Sequence, residues 1–451
     1  MQAGGQLIIP GALARLFGPA AVYFERNVFL FFFYGFSAGL PLALSFGTLT
    51  YWLTEVSTSK GEIGLFTLLT IPYAFKFVWS PFIDRLNFPI LCRIFGRRRG
   101  WLLATQFALM AAIATAGLSD PAPGRLEFVA IMALLIAFFS ASQDIVIDAY
   151  RVEILDDNQQ GAGAGAYQIG YRLAMLASGA GTLIIADQAG WPTAYGVMAA
   201  LMLVGVLTVL LSPEPQFEES EDALERARKV EDEAPVIAWL YTSVAAPFLE
   251  FLKKPGWLAI LAFVLFYKFG DTLASMMTGP FYLETGFTKT EIGVVAKSVG
   301  IAATIVGAVL GGMLVYARGV VSSLWICGLF QLVSNFMFVV LALVGHDLWV
   351  LGATVAIENL AGGMGGAAFI AYMASLCNIS YTATQYALLS SLANVGRTLF
   401  SAPSGYLAEA VSWPVFFTLT VVAAVPGLIL LWYLGRRYPY PSPSSPQPAG
   451  G

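Results

Sequence analysis

The stretch Phe128–Tyr150 reads FVAIMALLIAFFSASQDIVIDAY and sets the expectation for the whole fold. It is long enough to cross a hydrocarbon layer about 30 Å thick, since a helix rises about 1.5 Å per residue. Backbone groups without partners are too unfavourable in lipid for other local structures, so the stretch predicts a membrane-spanning helix. Its two acids, Asp144 and Asp148, are charges inside an apolar run and therefore mark function.

The same pattern recurs along the chain, which has 451 residues, 58% of them hydrophobic and only 12% charged. A soluble domain carries roughly 25% charged residues, so the composition excludes a soluble enzyme and a disordered protein. The net charge of −4 offers no electrostatic basis for binding nucleic acid. The composition therefore predicts an all-α polytopic membrane protein.

Twelve stretches are predicted to span the membrane: Val28–Leu53, Ile63–Ile83, Trp101–Gly117, Phe128–Tyr150, Ala162–Ala186, Ala194–Leu211, Leu258–Tyr282, Ile292–Tyr316, Val321–Val344, Leu348–Leu376, Ala383–Ala408 and Pro414–Leu434.

Both ends of the chain are predicted to lie in the cytoplasm. Most of the 24 Lys and Arg residues fall in the termini and in the even-numbered connections, and the positively charged side is the cytoplasmic one. Before Val28 we expect an amphipathic surface helix rather than a cleaved signal, because Pro10, Gly18 and Pro19 interrupt the apolar run. The tail, residues 439–451, is Pro/Ser-rich and predicted to be disordered.

Residues 212–256 separate two halves, 1–211 and 257–438, with six predicted spans each. The separating segment begins with a charged, solvated stretch and ends with one that predicts an interfacial helix. The halves look like copies: KGEIG from residue 60 recurs as KTEIG from residue 289, and Trp191-Pro192 recurs as Trp413-Pro414. Parallel six-helix repeats are the layout of the major facilitator fold, whose substrate site lies between the halves.

Nine ionisable residues lie well inside the predicted spans, where each is a functional candidate. Basic residues exceed acids by one, which favours an anionic or zwitterionic cargo over a cationic one. The nine residues are Lys76, Asp144, Asp148, Arg172, Lys268, Asp271, Lys297, Glu358 and Arg397.

Arg172 and Arg397 lie about halfway along the fifth and eleventh spans, at related places in the two halves. Two guanidinium groups facing one cavity would hold carboxylates in bidentate fashion. Alternatively, each arginine pairs with an acid of its own half, Arg172 with Asp144 and Arg397 with Glu358. Both arrangements stay open, and they can alternate during transport.

Two further charge pairs each share a helix face. The spacing of three positions between Lys268 and Asp271 predicts an internal ion pair. The alternative is an ion pair that opens when substrate or a proton arrives. Asp144 and Asp148 are four positions apart, and two like charges in a low dielectric disfavour double ionisation, which would suit proton coupling. For Asp148 we expect a network with Arg151 at the cytoplasmic end.

The loop after the second span predicts a cytoplasmic gate. It reads Asp84-Arg85 and then Gly96-Arg97-Arg98-Arg99-Gly100. Asp84 would bond the end of a neighbouring helix or Arg151, and the bond would break as the halves rock. The alternative for Arg97–Arg99 is a topogenic cluster that faces anionic lipid. The corresponding stretch of the second half, Gly311 to Arg318, lacks the acid.

Polar and small residues inside the spans have two interpretations. The runs GAGAG from residue 161 and GGMGG from residue 362 favour close helix packing or local unwinding. Five polar side chains suit either hydrogen bonds to a sugar or amide, or bonds between helices: Gln143, Tyr171, Asn359, Gln385 and Asn394.

The sequence carries no pattern of a metal site, a phosphate loop or a catalytic nucleophile. Cys92, Cys327 and Cys377 show no Cys-x-x-Cys spacing, and His346 is the single histidine. We therefore expect no cofactor, no metal, no disulfide and no enzymatic activity. The energy source would be an ion gradient or the gradient of the cargo itself.

Several of these motifs resemble the AmpG family of muropeptide permeases, which are major facilitators. The resemblance runs from roughly the first span to the last, and helices four and ten carry its most specific motifs. It rests on SAGLPLAL from Ser37, GRRRGWLLATQ from Gly96, SASQDIVIDA from Ser140, Gly170-Tyr171-Arg172, Glu358-Asn359-Leu360, ATQYALLS from Ala383 and Val395-Gly396-Arg397. Some members of the family have two additional hydrophobic segments that this sequence lacks.

The resemblance implies a proton-driven importer of anhydromuropeptides (GlcNAc–anhydro-MurNAc peptides) in the bacterial inner membrane. Such import serves peptidoglycan recycling and feeds the signals that induce β-lactamase. We expect a monomer that works by alternating access, with the anionic glycopeptide, protons and the lipid bilayer as its partners. We expect cargo carboxylates to bind Arg172, Arg397, Lys268 and Lys76, and the proton to bind Asp144, Asp271, Glu358 or Asp148.

Two alternatives remain. One is a facilitator of another anionic cargo such as acetyl-CoA. Substrate competition in vesicles would distinguish this function from muropeptide transport. The other is a membrane assembly factor of the same fold that does not transport, which predicts no uptake and stable co-purification with a partner.

Overall fold

The computed structural model describes residues 18–45, 47–56, 66, 69, 71–119, 121–122, 126–216, 245–401 and 403–438. These residues are almost entirely helical, and no strand occurs among them. Outside the described part lie the predicted disordered tail, the charged stretch of the linker, most of the predicted N-terminal surface helix and the side chain of Lys297.

In the first half, a 3-10 helix at Gly18–Phe24 precedes the spans, and a 3-10 turn at Lys76–Val78 interrupts the second one. The helices described in this half are α1 (Arg26–Ser45), α2 (Gly47–Glu55), α3 (Ile71–Phe75), α4 (Ser80–Arg85), α5 (Leu91–Phe95), α6 (Arg97–Gly117), α7 (Glu127–Ile154), α8 (Gln160–Leu176), α9 (Thr182–Leu201) and α10 (Leu203–Leu211).

In the remainder, π-helical turns at Ile292–Val299 begin the eighth span. The helices described here are α11 (Ala246–Leu252), α12 (Trp257–Phe266), α13 (Phe269–Glu284), α14 (Lys289–Glu291), α15 (Gly300–Arg318), α16 (Val320–Val344), α17 (Leu348–Ser375), α18 (Thr382–Ser401), α19 (Ser404–Ala410) and α20 (Trp413–Arg437).

The predicted spans fall on these helices, and the second span is described continuously from Ile71 onward. By length and apolar composition, eight helices of the described residues suit a membrane crossing, or nine if the bent pair Leu348–Ser375 and Ile379–Ala410 is one crossing. The number is lower because two predicted spans are joined, the tenth and eleventh form the bent pair, and the second is only partly described. The predicted fifth and sixth spans form one helical stretch, Gln160–Leu211, which Gly190 breaks by adopting a φ of 82° that favours glycine.

Close helix packing holds each half together. A side chain at Gly170 of α8 would lie 1.8 Å from the carbonyl oxygen of Phe32 in α1. In the second half, a side chain at Gly307 of α15 would lie 2.2 Å from the carbonyl oxygen of Leu360 in α17. Small residues allow such backbone contact between helices in a membrane, where burial of apolar groups supplies little driving force.

The two halves repeat one hydrogen bond. Trp191 Nε1 donates to Glu55 Oε2 at 2.8 Å in the first half, and Trp413 Nε1 donates to Glu284 Oε2 at 2.8 Å in the second. Each bond ties the region before the sixth span to the end of the first span of the same half. The repeated Trp-Pro pair of the sequence therefore marks equivalent places in the fold.

The ends of the bundle differ. We call the end with Arg85, Arg98 and Arg151 the basic end, and the end with Trp191 and Trp413 the tryptophan end. At the basic end, α8 packs against α15, and α4 and α7 pack against α18. The space between the halves is therefore closed at the basic end.

Candidate functional site

Asp84, at the end of α4, binds the start of α18 in the other half. Its carboxylate is buried and accepts hydrogen bonds from the backbone N–H of Thr384 at 2.8 Å, from Thr384 Oγ1 at 2.7 Å and from the backbone N–H of Ala383 at 3.3 Å. The first N–H groups of a helix lack intrahelical partners and carry partial positive charge. The carboxylate therefore caps a helix of the opposite half.

Arg98 holds Asp84 in place. Its side chain is only 1% exposed, and Nη2 donates to Asp84 Oδ1 at 2.9 Å, while Nε donates to Glu153 Oε2 of α7 at 2.9 Å. No motif in the sequence marks Glu153 itself. The excess of arginines over acids in the predicted gate was the signal that a further acid must lie nearby.

Glu214, in the linker, caps helix α6. It accepts from the backbone N–H groups of Arg98 at 2.8 Å and Arg99 at 3.1 Å. Burial raises the pKa of Glu214 above its usual range, and these hydrogen bonds offset part of the increase. No local motif pointed to this residue, because its partners lie more than a hundred positions earlier in the chain.

Two further arginines face aromatic rings of the second half. The guanidinium of Arg85 lies 5.4 Å from the ring centre of Tyr381, and that of Arg151 lies 5.1 Å from the ring centre of Tyr386. We call the contacts of Asp84, Arg85 and Arg151 with the second half the charged seam. All three predicted gate residues lie in it, and the bonds of Asp84 go to the helix end.

The contact between α8 and α15 has few charges. A side chain at Gly161 would lie 2.6 Å from Val315 Cβ, and one at Gly312 would lie 2.8 Å from the carbonyl oxygen of Gly161. Tyr23 of the N-terminal 3-10 helix donates to the carbonyl oxygen of Val309 at 2.9 Å. We call these contacts the glycine seam. It gives the GAGAG run its packing role, and the sequence analysis did not single out Tyr23.

The first half carries a cluster of charges beside the charged seam. Lys76 Nζ lies 3.6 Å from Asp148 Oδ2, and Arg151 Nη1 lies 3.2 Å from Asp148 Oδ1. Tyr167 Oη donates to Asp144 Oδ1 at 3.4 Å. The expected network of Asp148 with Arg151 is confirmed, and Lys76, which is buried, holds an acid in this structure.

The second half carries a polar cluster of another kind. Asp271 accepts from Gln331 Nε2 at 2.7 Å and from Asn335 Nδ2 at 3.2 Å, and Lys268 Nζ donates to the carbonyl oxygen of Gly362 at 3.2 Å. The predicted contact ion pair of Lys268 with Asp271 is wrong, although the two charges interact at longer range.

A break in the span explains this difference. Helix α12 ends at Phe266 and α13 begins at Phe269, so Lys268 and Asp271 do not lie on one continuous helix face. The amides of α16 then offer Asp271 closer donors. Neither Gln331 nor Asn335 was singled out in the sequence, because uncharged polar residues in a span carry a weak signal.

Glu358 and Asn359 of α17 continue this cluster. Asn359 Nδ2 donates to Glu358 Oε2 at 2.6 Å, and Thr304 Oγ1 donates to Asn359 Oδ1 at 3.0 Å. Glu358 also interacts electrostatically with Asp271 and Lys268. The acids and the lysine predicted in the second half thus lie near one another.

Arg172 and Arg397 are exposed and face the same region between the halves. Both act electrostatically on Tyr171, and Arg397 also acts on Lys268. We call the region around these four residues the chamber. Among the described residues neither arginine forms an ion pair, and Arg397 Nη2 instead donates to Asn394 Oδ1 at 2.7 Å. Asp144 and Glu358 instead accept from Tyr167 and Asn359, so neither of the alternative pairs, Arg172–Asp144 and Arg397–Glu358, is present among the contacts of the described residues in this conformation.

Two of the predicted binding amides lie away from the chamber. Gln143 is buried, and its Nε2 lies 3.4 Å from Ser37 Oγ of α1. Gln385 is buried at the basic end, where it accepts from the backbone N–H of Asn378 at 2.8 Å and donates to the carbonyl oxygen of Pro247 at 3.1 Å. Both side chains join helices, whereas Tyr171, Asn359 and Asn394 are half-buried.

This architecture defines a class of proteins. Residues 28–401 match the family model described as Major Facilitator Superfamily. Two solved structures share the fold over 91% of this chain. The proton:xylose symporter XylE has a TM-score of 0.64 at 12% identity over 95% of its own chain. FucP, in the outward conformation, has a TM-score of 0.65 at 11% identity over 99% of its chain. The chain is a membrane transporter of the major facilitator fold and not an enzyme.

Curated relatives indicate the family within this superfamily. The anhydromuropeptide permease of Escherichia coli K12 is 44% identical over 400 residues, which cover 88% of this chain and 77% of that protein. Putative transporter AmpG 4 of Rickettsia felis is 32% identical over 418 residues, which cover 92% and 98% of the two chains. Within the major facilitators, this chain belongs to the AmpG family.

Proposed function

We propose that this protein is a proton-coupled symporter that imports anhydromuropeptides across the bacterial inner membrane by alternating access, for peptidoglycan recycling. The observation that carries the proposal is the chamber, where Arg172 and Arg397 from opposite halves are exposed and lack acidic partners among the described residues. The identity to the Escherichia coli permease supports the choice of cargo.

The chemistry of the cargo matches the chamber. An anhydromuropeptide carries peptide carboxylates, which guanidinium groups bind in bidentate fashion. Lys268 lies beside Arg397 and adds a third cation. The ring of Tyr171 and the amides of Asn359 and Asn394 suit a sugar and its acetamido groups. Lys76 takes its place near cargo only if its pair with Asp148 opens.

The seams provide the gate for alternating access. We assign the basic end to the cytoplasm because of its positive charge, and both termini would then lie in the cytoplasm. The structure then corresponds to a state that receives cargo from the periplasm. Opening toward the cytoplasm separates α18 from Asp84, while Arg98 continues to balance the charge of its carboxylate.

Four acids are candidates for the coupling proton: Asp144 and Asp148 in the first half, and Asp271 and Glu358 in the second. Buried acids near cations change charge when a neighbouring charge arrives, which links cargo binding to proton binding. The protein would act as a monomer, since cargo and proton sites all lie within one chain.

Uptake of labelled anhydromuropeptide into vesicles tests the proposal. Loss of a charge-assisted contact worth about 1.5–3 kcal/mol predicts that Arg172→Ala and Arg397→Ala each raise KM roughly ten- to hundredfold. Arg437→Ala, exposed at the end of α20, is the matched control and should transport normally. Wild-type uptake that ignores a proton ionophore would refute proton coupling, and full activity of both arginine variants would refute the site. Competition by acetyl-CoA would favour a different anionic cargo.

A further inference from the structure

We propose that Arg151 and Tyr386 connect the acids of the first half to the charged seam, so that a proton on Asp144 loosens the basic end. The inference rests on the proposed proton coupling and extends it, because it assigns the route and two positioning residues. It depends on three linked contacts that run from the chamber to the seam.

The first contact begins at the chamber. The ring of Tyr171 lies 5.9 Å, centre to centre, from the ring of Tyr167, and Tyr167 Oη donates to Asp144 Oδ1 at 3.4 Å. Asp144 is half-buried on the same stretch of α7 as Asp148. A proton from the water of the chamber therefore reaches Asp144 next to the tyrosines that face the cargo.

The second contact is a shared cation. Lys76 interacts electrostatically with Asp144, and its Nζ lies 3.6 Å from Asp148 Oδ2. With both acids ionised, Lys76 and Arg151 balance two negative charges. A proton on Asp144 removes one of these charges, so that Lys76 is left with Asp148 as its acidic partner.

The third contact crosses between the halves. Asp148 Oδ1 lies 3.2 Å from Arg151 Nη1, and the Arg151 guanidinium lies 5.1 Å from the ring centre of Tyr386 in α18. When Lys76 draws Asp148 closer, Arg151 loses part of its counter-charge. A buried cation without a full counter-charge favours hydration, and water reaches it once α18 moves away. The proton then leaves Asp144 for the water at the basic end.

The titratable groups that interact with the acid pair come from α3, the 3-10 turn at Lys76–Val78, α7, α8, α18 and the residues just after α17, and they set its response to a proton. Tyr73 of α3 and Lys76 of the 3-10 turn lie on one side, and the tyrosines of α8 lie on another. Tyr386 of α18 interacts with both Arg151 and Asp148. Among the described residues these groups include Tyr73, Lys76, Arg151, Tyr167, Tyr171 and Tyr386, together with the thiol of Cys377, which interacts with both Arg151 and Asp148.

Distances between the halves at the basic end test the inference without cargo. Spin labels on unnatural amino acids replace the exposed residues Arg93 and Arg318 in the full chain in nanodiscs, which leaves the native cysteines unchanged. In wild type, the ratio of long to short distances should rise several-fold from pH 8 to pH 6. Asp144→Asn, which mimics the protonated acid, should give the long distance at both pH values.

Substitutions at the seam separate coupling from a merely structural role. Tyr386→Leu removes the ring and should give the long distance at both pH values, whereas Tyr386→Phe keeps the ring and should keep most of the pH response. Tyr406→Leu, at a tyrosine that is 80% exposed, is the control and should behave as wild type. If Tyr386→Leu does not fold, Tyr386→Phe and Asp148→Asn still test the inference. Asp148→Asn should also abolish the pH response of the distances.

The outcomes separate this inference from the proposed function. If Asp144→Asn or Tyr386→Leu folds and keeps the wild-type pH response, the inference is wrong even where proton-driven uptake is intact. If the distances respond to pH as expected but labelled anhydromuropeptide does not enter vesicles, the proposed cargo is wrong and the link between Asp144 and the seam stands.

Discussion

The charged seam and the glycine seam close the same end of the molecule with different physics. In the charged seam a buried carboxylate, Asp84, bonds the backbone of the opposite half. In the glycine seam, backbones touch because Gly161 and Gly312 have no side chains. Charges respond to water and protons, whereas a steric fit does not. We therefore expect the charged seam to act as the switch of the proposed transport cycle and the glycine seam as the bearing on which the halves turn.

Replacement of Arg98, the buried cation that holds Asp84 at the charged seam, should have the largest effect on stability. Arg98→Met leaves Asp84 and Glu153 buried without their shared cation, which destabilises a protein by about 3–5 kcal/mol. Thermal unfolding in detergent measures the loss. Arg93→Met at an exposed position is the control and should change stability by less than about 0.5 kcal/mol. Equal stabilities of the two variants would show that the charged seam does not depend on this pair.

A methyl group in the glycine seam should have the next largest effect. In Gly312→Ala the new Cβ would lie 2.2 Å from Tyr23 Oη and 2.8 Å from the backbone of α8, and overpacking of this kind costs about 1–3 kcal/mol. Gly179→Ala, where no atom lies within 4 Å, is the matched control. The same unfolding assay applies. If Gly312→Ala is as stable as its control, the helices of the glycine seam do not pack tightly at Gly312.

Loss of the Tyr23 hydroxyl tests the difference between the two seams further. Tyr23→Phe keeps the ring and removes the bond to Val309, which is worth about 0.5–1.5 kcal/mol. Because the bond joins the halves only in the closed arrangement, the variant should open the basic end at every pH to the same extent. Distances between labels on the two halves measure this effect, and Tyr51→Phe, at an exposed tyrosine, serves as control. A pH-dependent change would place Tyr23 in the switch rather than in the bearing.

The smallest effect is expected at the tryptophan end. Glu291 accepts bonds from the backbone N–H and the hydroxyl of Thr288, which lower its pKa. Its contribution to stability is therefore present above the pKa of the unfolded chain and is lost as the pH falls through the lower folded value. Glu291→Gln should flatten the stability profile slightly in acid and leave distances at the basic end unchanged. Altered distances there would show that the seams sense this remote end.

The sequence was sufficient for features with local causes. Apolar length predicted the helices, and repeated Trp-Pro pairs located equivalent places in the halves. Charges within spans and the Asp-Arg loop pointed to the residues that we assign to the chamber and the gate. These inferences need only helix geometry and the unfavourable energy of charge in lipid.

Partners distant in the chain could not be predicted. Glu153, Glu214 and Tyr386 act on residues that other helices bring near, and no spacing in the sequence encodes those approaches. The break before Lys268 has no proline to announce it, and it displaced the expected contact with Asp271. Two amides of the predicted site, Gln143 and Gln385, proved to join helices, because an amide suits a sugar and a neighbouring helix equally well.

The matching bonds of Trp191 to Glu55 and of Trp413 to Glu284 have a mechanical consequence. Each joins the two ends of one bundle's helical sequence at its rim, and we expect such a bond to oppose the separation of those helices. In the proposed cycle, cargo bound between the halves would therefore act through the whole bundle on its far end, where α18 contacts Asp84.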